Sequence, residues 1–296
     1  MTVTPVRLTP ALAALFLPLA LAAAPGISTS GSLTAAWNDN LSHSARPIDQ
    51  RNAETFSASG AFSQRFILSR DDALLFGGTA NTRICPEFDG LDDVSFAVQL
   101  ELRRKFGLGP LAPVLALQTE AGGGLYREAA RNAWTTTARL TASKRLNDAW
   151  RVAVTGEWSD RNANQAVFSR VNRGLSAEVS WDVTDIWQLD AGACRQWGEQ
   201  EANASWATWS GAMAGFAGPA LADYYMRIPW RMSDTFGSGW VAYRIDGRTD
   251  LWWLALAPAI ARNTSLPLRY DHIDVHGSAG SHYVSHQISL SVVHRF

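Results

Sequence analysis

The last fourteen residues divide into two faces. His294, Val292, Leu290, Ile288, His286 and Val284 take every second position before Phe296, and Arg295, Ser291, Ser289, Gln287 and Ser285 stand between them. A period of two predicts a β-strand with one apolar and one polar side. The middle of the chain repeats the pattern. Leu175, Ala177, Val179, Trp181 and Val183 oppose Ser176, Glu178, Ser180 and Asp182, while Val94, Phe96, Val98, Leu100 and Leu102 oppose Ser95, Gln99, Glu101 and Arg103. On 150–159, Trp150, Val152, Val154 and Trp158 oppose Arg151, Thr155 and Glu157.

Twelve such segments are expected, near 31–40, 54–67, 73–84, 93–105, 113–124, 133–145, 150–159, 173–183, 186–197, 237–246, 250–262 and 283–296. Their connections alternate in length. Short ones at 69–72, 106–111, 146–149, 184–185 and 246–249 carry Gly, Asn and Asp, the residues of tight turns. Longer ones fall at 41–53, 85–92, 125–132, 160–172, 198–236 and 263–282. Short turns on one side and long loops on the other suit an antiparallel up-and-down barrel with an even strand number.

The setting follows from where the apolar residues lie. Hydrophobic residues make up 47% of the chain, with 13 Trp, yet beyond residue 24 no run reaches the roughly 18 apolar residues of a spanning helix. A closed barrel is the other backbone arrangement that satisfies its hydrogen bonds in lipid. Aromatics gather at strand ends (Trp37, Phe66, Phe106, Trp134, Trp150, Trp158, Trp181, Trp187, Trp252), as in two interfacial girdles. A soluble β-sandwich would also alternate, but would scatter its aromatics. Residues 1–22 read as a secretory signal peptide: Arg7, the apolar run Ala11–Ala22, then Ala20-Leu21-Ala22 as a cleavage site. Residues 23–296 form one barrel domain, without a linker or low-complexity boundary.

With an export leader and a terminal strand ending in Phe296, the chain resembles small porin-like outer-membrane β-barrels of Gram-negative bacteria. The resemblance implies residence in the cell outer membrane, contact with its lipid and lipopolysaccharide, and insertion by the barrel-assembly machinery. In this class the terminal segment, here Phe296, Val292 and Leu290, is the assembly signal. The formal charge of −1 gives no support for nucleic-acid binding.

Candidate chemistry lies in three places. Glu101, Arg103, Glu120, Arg139, Arg151, Glu157, Glu178, Asp190 and Arg244 fall on polar faces and are expected to line the lumen, either as cross-strand ion pairs that fill it or as a constriction selecting small polar solutes. Arg139 and Arg151 are expected to form a ladder of contacts with Glu157, Glu178 and Asp190, because an unpaired charge there would be costly. Second, five of six His crowd the last 25 residues. Within them His276-Gly277-Ser278, beside Asp274, resembles the His-x-Ser pattern of outer-membrane lipid hydrolases. Ala279 replaces the Asn that usually follows the Ser, and Gly277 and Gly280 suggest a loop too flexible for fixed geometry. No catalytic role is therefore favoured for His276, Ser278 and Asp274. The His spacing matches no defined metal motif, so no metal or cofactor is expected.

Third, 198–236 is too apolar for a solvated loop. It holds Trp206, Trp209, Tyr224, Tyr225 and Trp230. It is expected to plug the lumen, cover the mouth, or dock a ligand or protein, unless its flanking strands simply extend with Trp206 facing Trp209. Cys85 and Cys194 are expected at the outer ends of opposed strands, too far apart for a disulfide unless loop 85–92 folds inward. The composite expectation is a channel giving passive or gated passage to a small polar solute. A membrane-embedded lipid hydrolase and a structural barrel docking through 198–236 are the alternatives.

Overall fold

A computed structural model describes residues 26–214, 218–277 and 280–296. The expected leader 1–22 and Ser278 lie outside the described residues. Twelve long antiparallel strands form a closed sheet: β1 (Ile27–Asn38), β2 (Ala53–Ile67), β3 (Asp72–Ile84), β4 (Asp93–Lys105), β5 (Val114–Tyr126), β6 (Ala133–Arg145), β7 (Trp150–Ala163), β8 (Arg170–Thr184), β9 (Trp187–Ser205), β11 (Trp240–Ala261), β13 (Leu268–Gly277) and β14 (His282–Arg295). Two short rungs, β10 (Trp230–Met232) and β12 (Thr264–Ser265), attach to β11. Neighbours in sequence are neighbours in the sheet, and β14 pairs back onto β1 from Ser30↔Arg295 to Asn38↔Gln287. That seam leaves no open edge.

Burial is inside out relative to a soluble fold. Leu33, Phe96, Leu100, Leu117, Trp134, Leu175, Leu254 and Leu290 are all exposed on the outer wall. A continuous apolar belt of this size requires a lipid surround. Trp150 and Trp181 stack at 5.1 Å near one rim, where amphipathic rings prefer the interface. The opposite face of each strand carries Ser, Thr, Gln and charged residues. The tight turns use side chains to satisfy backbone donors. Asn147 Oδ1 accepts from the amides of Ala149 and Trp150 at 2.9 and 2.8 Å, an Asx-type turn.

The strand total agrees with expectation, but two assignments are corrected. Residues 237–246 and 250–262 are not two strands joined at Asp246-Gly247. Residues 240–261, which span most of both segments, form the single 22-residue strand β11. Conversely, 263–282 is not one outer loop, because it contains β13. Gly247 is there for close approach: it pairs with Gly277, and a Cβ on it would sit 2.5 Å from the carbonyl oxygen of His276. β13 escaped notice because Arg269, Asp271, His272, Asp274 and His276 put polar groups on both faces and erase the period of two. Cys194 is likewise mid-strand in β9, opposite Ser176, and not at an outer end, and both thiols are free.

Replacing Gly247 with Ala should therefore loosen the β11–β13 rung and lower the temperature at which the folded barrel loses its fast mobility on unboiled gels. An unchanged transition would mean that the contact relaxes without cost.

Candidate functional site

The lumen wall carries a girdle of charge at mid-height. Arg139 stands at its centre, with Nε 2.5 Å from Glu157 Oε2 and NH1 3.6 Å from Glu120 Oε2. Register explains the trio, since Arg139 is directly opposite Glu157 across β6–β7, and Glu120 lies one rung away on β5. Gln118 donates to Gln99 at 2.7 Å, and Arg103 pairs with Glu101 on the same strand. Arg151 bonds Ser180 Oγ at 3.2 Å rather than a carboxylate, and Asp190 accepts from Gln188 at 2.9 Å. Glu178 shares this face, opposite Ala153. Of the expected ladder only the Arg139–Glu157 rung forms, joined by Glu120; Arg151 meets Ser180 and Asp190 meets Gln188 instead of each other or another charge. Arg244 stands apart, high on β11, bridging Glu199 at 3.2 Å and the Ser169 carbonyl at 2.7 Å.

Around the short turns a cavity of about 740 Å³ is lined by Asp148, Asp182, Gln188, Arg262, Asn263 and Arg295, among others. The other end is roofed. β9 and β11 run far past their neighbours, and two short helices, α1 (Trp206–Met213) and α2 (Pro219–Arg227), join them. Ser205 caps α1 by accepting from the Thr208 amide, as a Ser at this position commonly does. An eight-residue helix is unstable alone, so packing holds it. Trp209, 1% exposed, lies against Tyr243, Tyr225 and Trp230 at ring distances of 4.9, 5.2 and 5.6 Å. An aromatic of this size buries about 150–250 Å², contributing ~4–6 kcal/mol before entropy. Trp206 faces outward, 46% exposed, and does not meet Trp209 across a simple hairpin. Tyr224 packs edge-on against Tyr225.

Loops from the rest of the circumference converge on this hairpin. From loop 39–52, Ser44 donates to the Asn203 carbonyl, Asn203 donates back to Ser42, and His43 stacks on Tyr283 at 5.6 Å. From 85–92, Phe88 packs on Phe236. From 127–132, Arg131 reaches Glu201 at 2.6 Å and Glu128 at 2.8 Å, with its guanidinium 4.1 Å from the Phe168 ring. From 164–169, Val167 and Phe168 bury Ala242. Such scattered loops can meet on one hairpin only if it leans across the mouth. The expectation that 198–236 covers the mouth thus fits the geometry, though part of the segment is strand and part helix.

Sequence reasoning missed the polar heart of this roof. Arg131, Glu128 and Glu201 lie on separate elements, and no spacing signals their meeting. Burial disfavours the Arg131 charge, but Glu201 and Glu128 outweigh it and hold its pKa above the ordinary value. His43 goes the other way: burial, with Arg170 and Arg131 nearby, lowers its pKa from the usual 6.5 despite Glu201.

Of the histidine cluster, Asp274 and His276 stand at the outer end of β13 and His282 at the start of β14, on the outward face. His276 is on an ordered strand rather than a flexible loop.

No family model and no curated protein sequence matches the chain. Among solved structures it is similar to an outer membrane channel from Pseudomonas putida F1, with 12% identity, a TM-score of 0.55, and coverage of 93% of this chain and 97% of that chain. It also matches the KdgM porin (8% identity, TM-score 0.44, 90% and 99% covered) and outer membrane phospholipase A from Escherichia coli (11% identity, TM-score 0.45, 90% and 92% covered). The first likeness, with the apolar belt, fixes the fold: the molecule is a transmembrane β-barrel of the outer-membrane class.

The His43 shift has a sign. Undocked His43 takes up a proton near pH 6.5, whereas burial lets docked His43 do so only at lower pH, so docking of loop 39–52 loses stability as pH falls through that range. Hydrogen exchange of 39–52, corrected for intrinsic rates, should accelerate between about pH 7.5 and about pH 5. His43→Asn tolerates the positive φ of 53° and cannot be protonated, so it should remove the dependence. A wild-type dependence that persists in this variant would rule His43 out.

Proposed function

We propose that the barrel is an outer-membrane channel for small polar solutes, opening on its short-turn side into a vestibule and gated on the other by the β9–β11 roof. The observation that carries this reading is the pairing of a polar, charged lumen with a mouth covered by a hairpin on which the surrounding loops dock. Three Arg (Arg103, Arg139, Arg151) against five carboxylates leave the path a small negative excess, which suits neutral or weakly cationic polar solutes more than anions. Glu101, Arg103, Glu120, Arg139, Arg151, Glu157, Glu178 and Asp190 would line the path. Trp206, Trp209, Tyr224, Tyr225 and Trp230 would belong to the gate.

Planar-bilayer recording tests it. Wild-type protein should show small conductance with frequent closures. Arg131→Ala leaves Glu128 and Glu201 uncompensated in a buried site, a change that costs about 3–5 kcal/mol, and should lengthen open periods and raise mean current. Silence from both proteins, folded and inserted, would overturn the channel. Fatty-acid release from lipid vesicles that vanished in Ser278→Ala would replace it with a hydrolase.

The belt would face outer-membrane lipid and lipopolysaccharide, with residues 1–22 acting as export leader. Phe296, Val292 and Leu290 would form the segment read by the barrel-assembly machinery. Phe296 also closes the seam: its amide donates to the Thr29 carbonyl at 3.1 Å, and its ring packs 4.7 Å from that of His294. Deleting Phe296 should leave precursor in the periplasm. Normal yields of heat-modifiable barrel from the deletion would refute this.

A further inference from the structure

The outward histidine cluster has no part in the lumen or the roof, yet its geometry is specific. His276 on β13 pairs directly with His282 on β14, and Asp274 lies two residues before His276 on the same face. His276 Nε2 is 3.3 Å from Asp274 Oδ2, and His282 Nε2 is 2.8 Å from Asp274 Oδ1. The two rings lie nearly parallel, 15° apart with centroids at 4.6 Å. All three donor atoms fall within 4.8 Å of one another. Both imidazoles are about half exposed, so the donors can be reached from outside.

Neighbouring charges leave Asp274 available. Across the β11–β13 register, Arg248 stands opposite His276 and Asp250 opposite Asp274. Arg248 and Arg195 both pair with Asp250, at 3.0 and 2.5 Å, so their charge is drawn towards that carboxylate.

We propose that Asp274, His276 and His282 form a binding site for a late first-row divalent cation of the Zn²⁺ class. Two imidazole nitrogens and one carboxylate oxygen are a donor set suited to such ions, and hard Ca²⁺ or Mg²⁺ prefer oxygen alone. Tetrahedral coordination at about 2.0–2.1 Å places ligand atoms about 3.3 Å apart. His276 Nε2 is already at that distance from Asp274 Oδ2, whereas His282 now contacts the other oxygen, Oδ1, at 2.8 Å; with all donors within 4.8 Å of one another, a turn of the carboxylate and the two imidazoles brings one oxygen and both nitrogens to the required spacing. A cation would replace two N–H···O contacts with three metal bonds and leave a fourth position for water at the outer surface.

The position also gives binding a consequence. Val275 and Tyr283 alternate with the three ligands and point the other way, into the roof core beside Trp209, Tyr243 and Ile245. Tyr283 carries the stack with His43. A cation tying β13 to β14 stiffens the rung against which the roof closes.

Calorimetric titration of untagged, folded barrel in detergent with Zn²⁺ at about pH 7.5 should show one equivalent bound. Loss of a partner that only orients a ligand already costs 10–100-fold. His276→Gln and His282→Gln should each therefore weaken binding by about 100-fold or more. His272→Gln should leave it unchanged, and Ca²⁺ should not compete. Fast mobility on unboiled gels shows that each variant has folded. In the wild type, Zn²⁺ should slow hydrogen exchange at Val275 and Tyr283, and in His282→Gln it should not. Absence of binding by the wild type, or binding in both ligand variants as tight as in the wild type, would overturn the site.

Discussion

Every backbone donor and acceptor at membrane depth must find a partner inside the protein, because lipid offers none. The β1–β14 seam meets that demand, and the rest of the chain's patterning follows from it. A sheet closed on itself has an inside and an outside, so a period of two sorts residues into lipid and lumen without a conventional core. Side chains that would be liabilities on a soluble protein, such as Phe96 or Leu100, become the surface. Charges that would sit on a soluble surface, such as Arg139 and Glu157, turn inward and meet. The register that places Leu290 opposite Ala35 also places Ser291 opposite Thr34, whose hydroxyls bond at 2.8 Å.

The only sizeable buried cluster lying among the described residues is above the membrane, where β9 and β11 outgrow their neighbours. Its logic is that of a small globular domain. Apolar residues from both strands, α1 and the β13–β14 tip enclose Trp209, and polar loops seal the edges. The roof borrows its foundation from the barrel, since Val275 and Tyr283 belong to wall strands. The roof and the wall are therefore one mechanical unit at this point of the circumference.

What was legible in the sequence was whatever a period of two can show. Strands with clean alternation, such as 93–105 and 133–145, appear with nearly the expected limits. β13 was hidden because both its faces are polar: one looks into the roof and the charged lumen, the other towards the outer interface. Gly247 was misread because glycine has two uses, turning and allowing close approach, and sequence alone does not separate them. The girdle residues were readable from alternation, and their partners only through register. The roof's Arg131–Glu128–Glu201 contact was not readable at all, for it is assembled from loops far apart in sequence.

That contact also sets how the proposed gate would open. A buried ion pair stabilises little on balance, because desolvating both charges offsets most of their attraction. Arg131, at 6% side-chain exposure between two carboxylates, regains its hydration when the roof lifts, and so do Glu128 and Glu201. The apolar packing around Trp209 has no such compensation and favours the closed state. Opening by hinging of loops 127–132 and 39–52, with the Trp209 core left intact, therefore costs less than withdrawal of the whole hairpin. The route across the mouth is expected beside the polar seam of the roof and not through its aromatic centre.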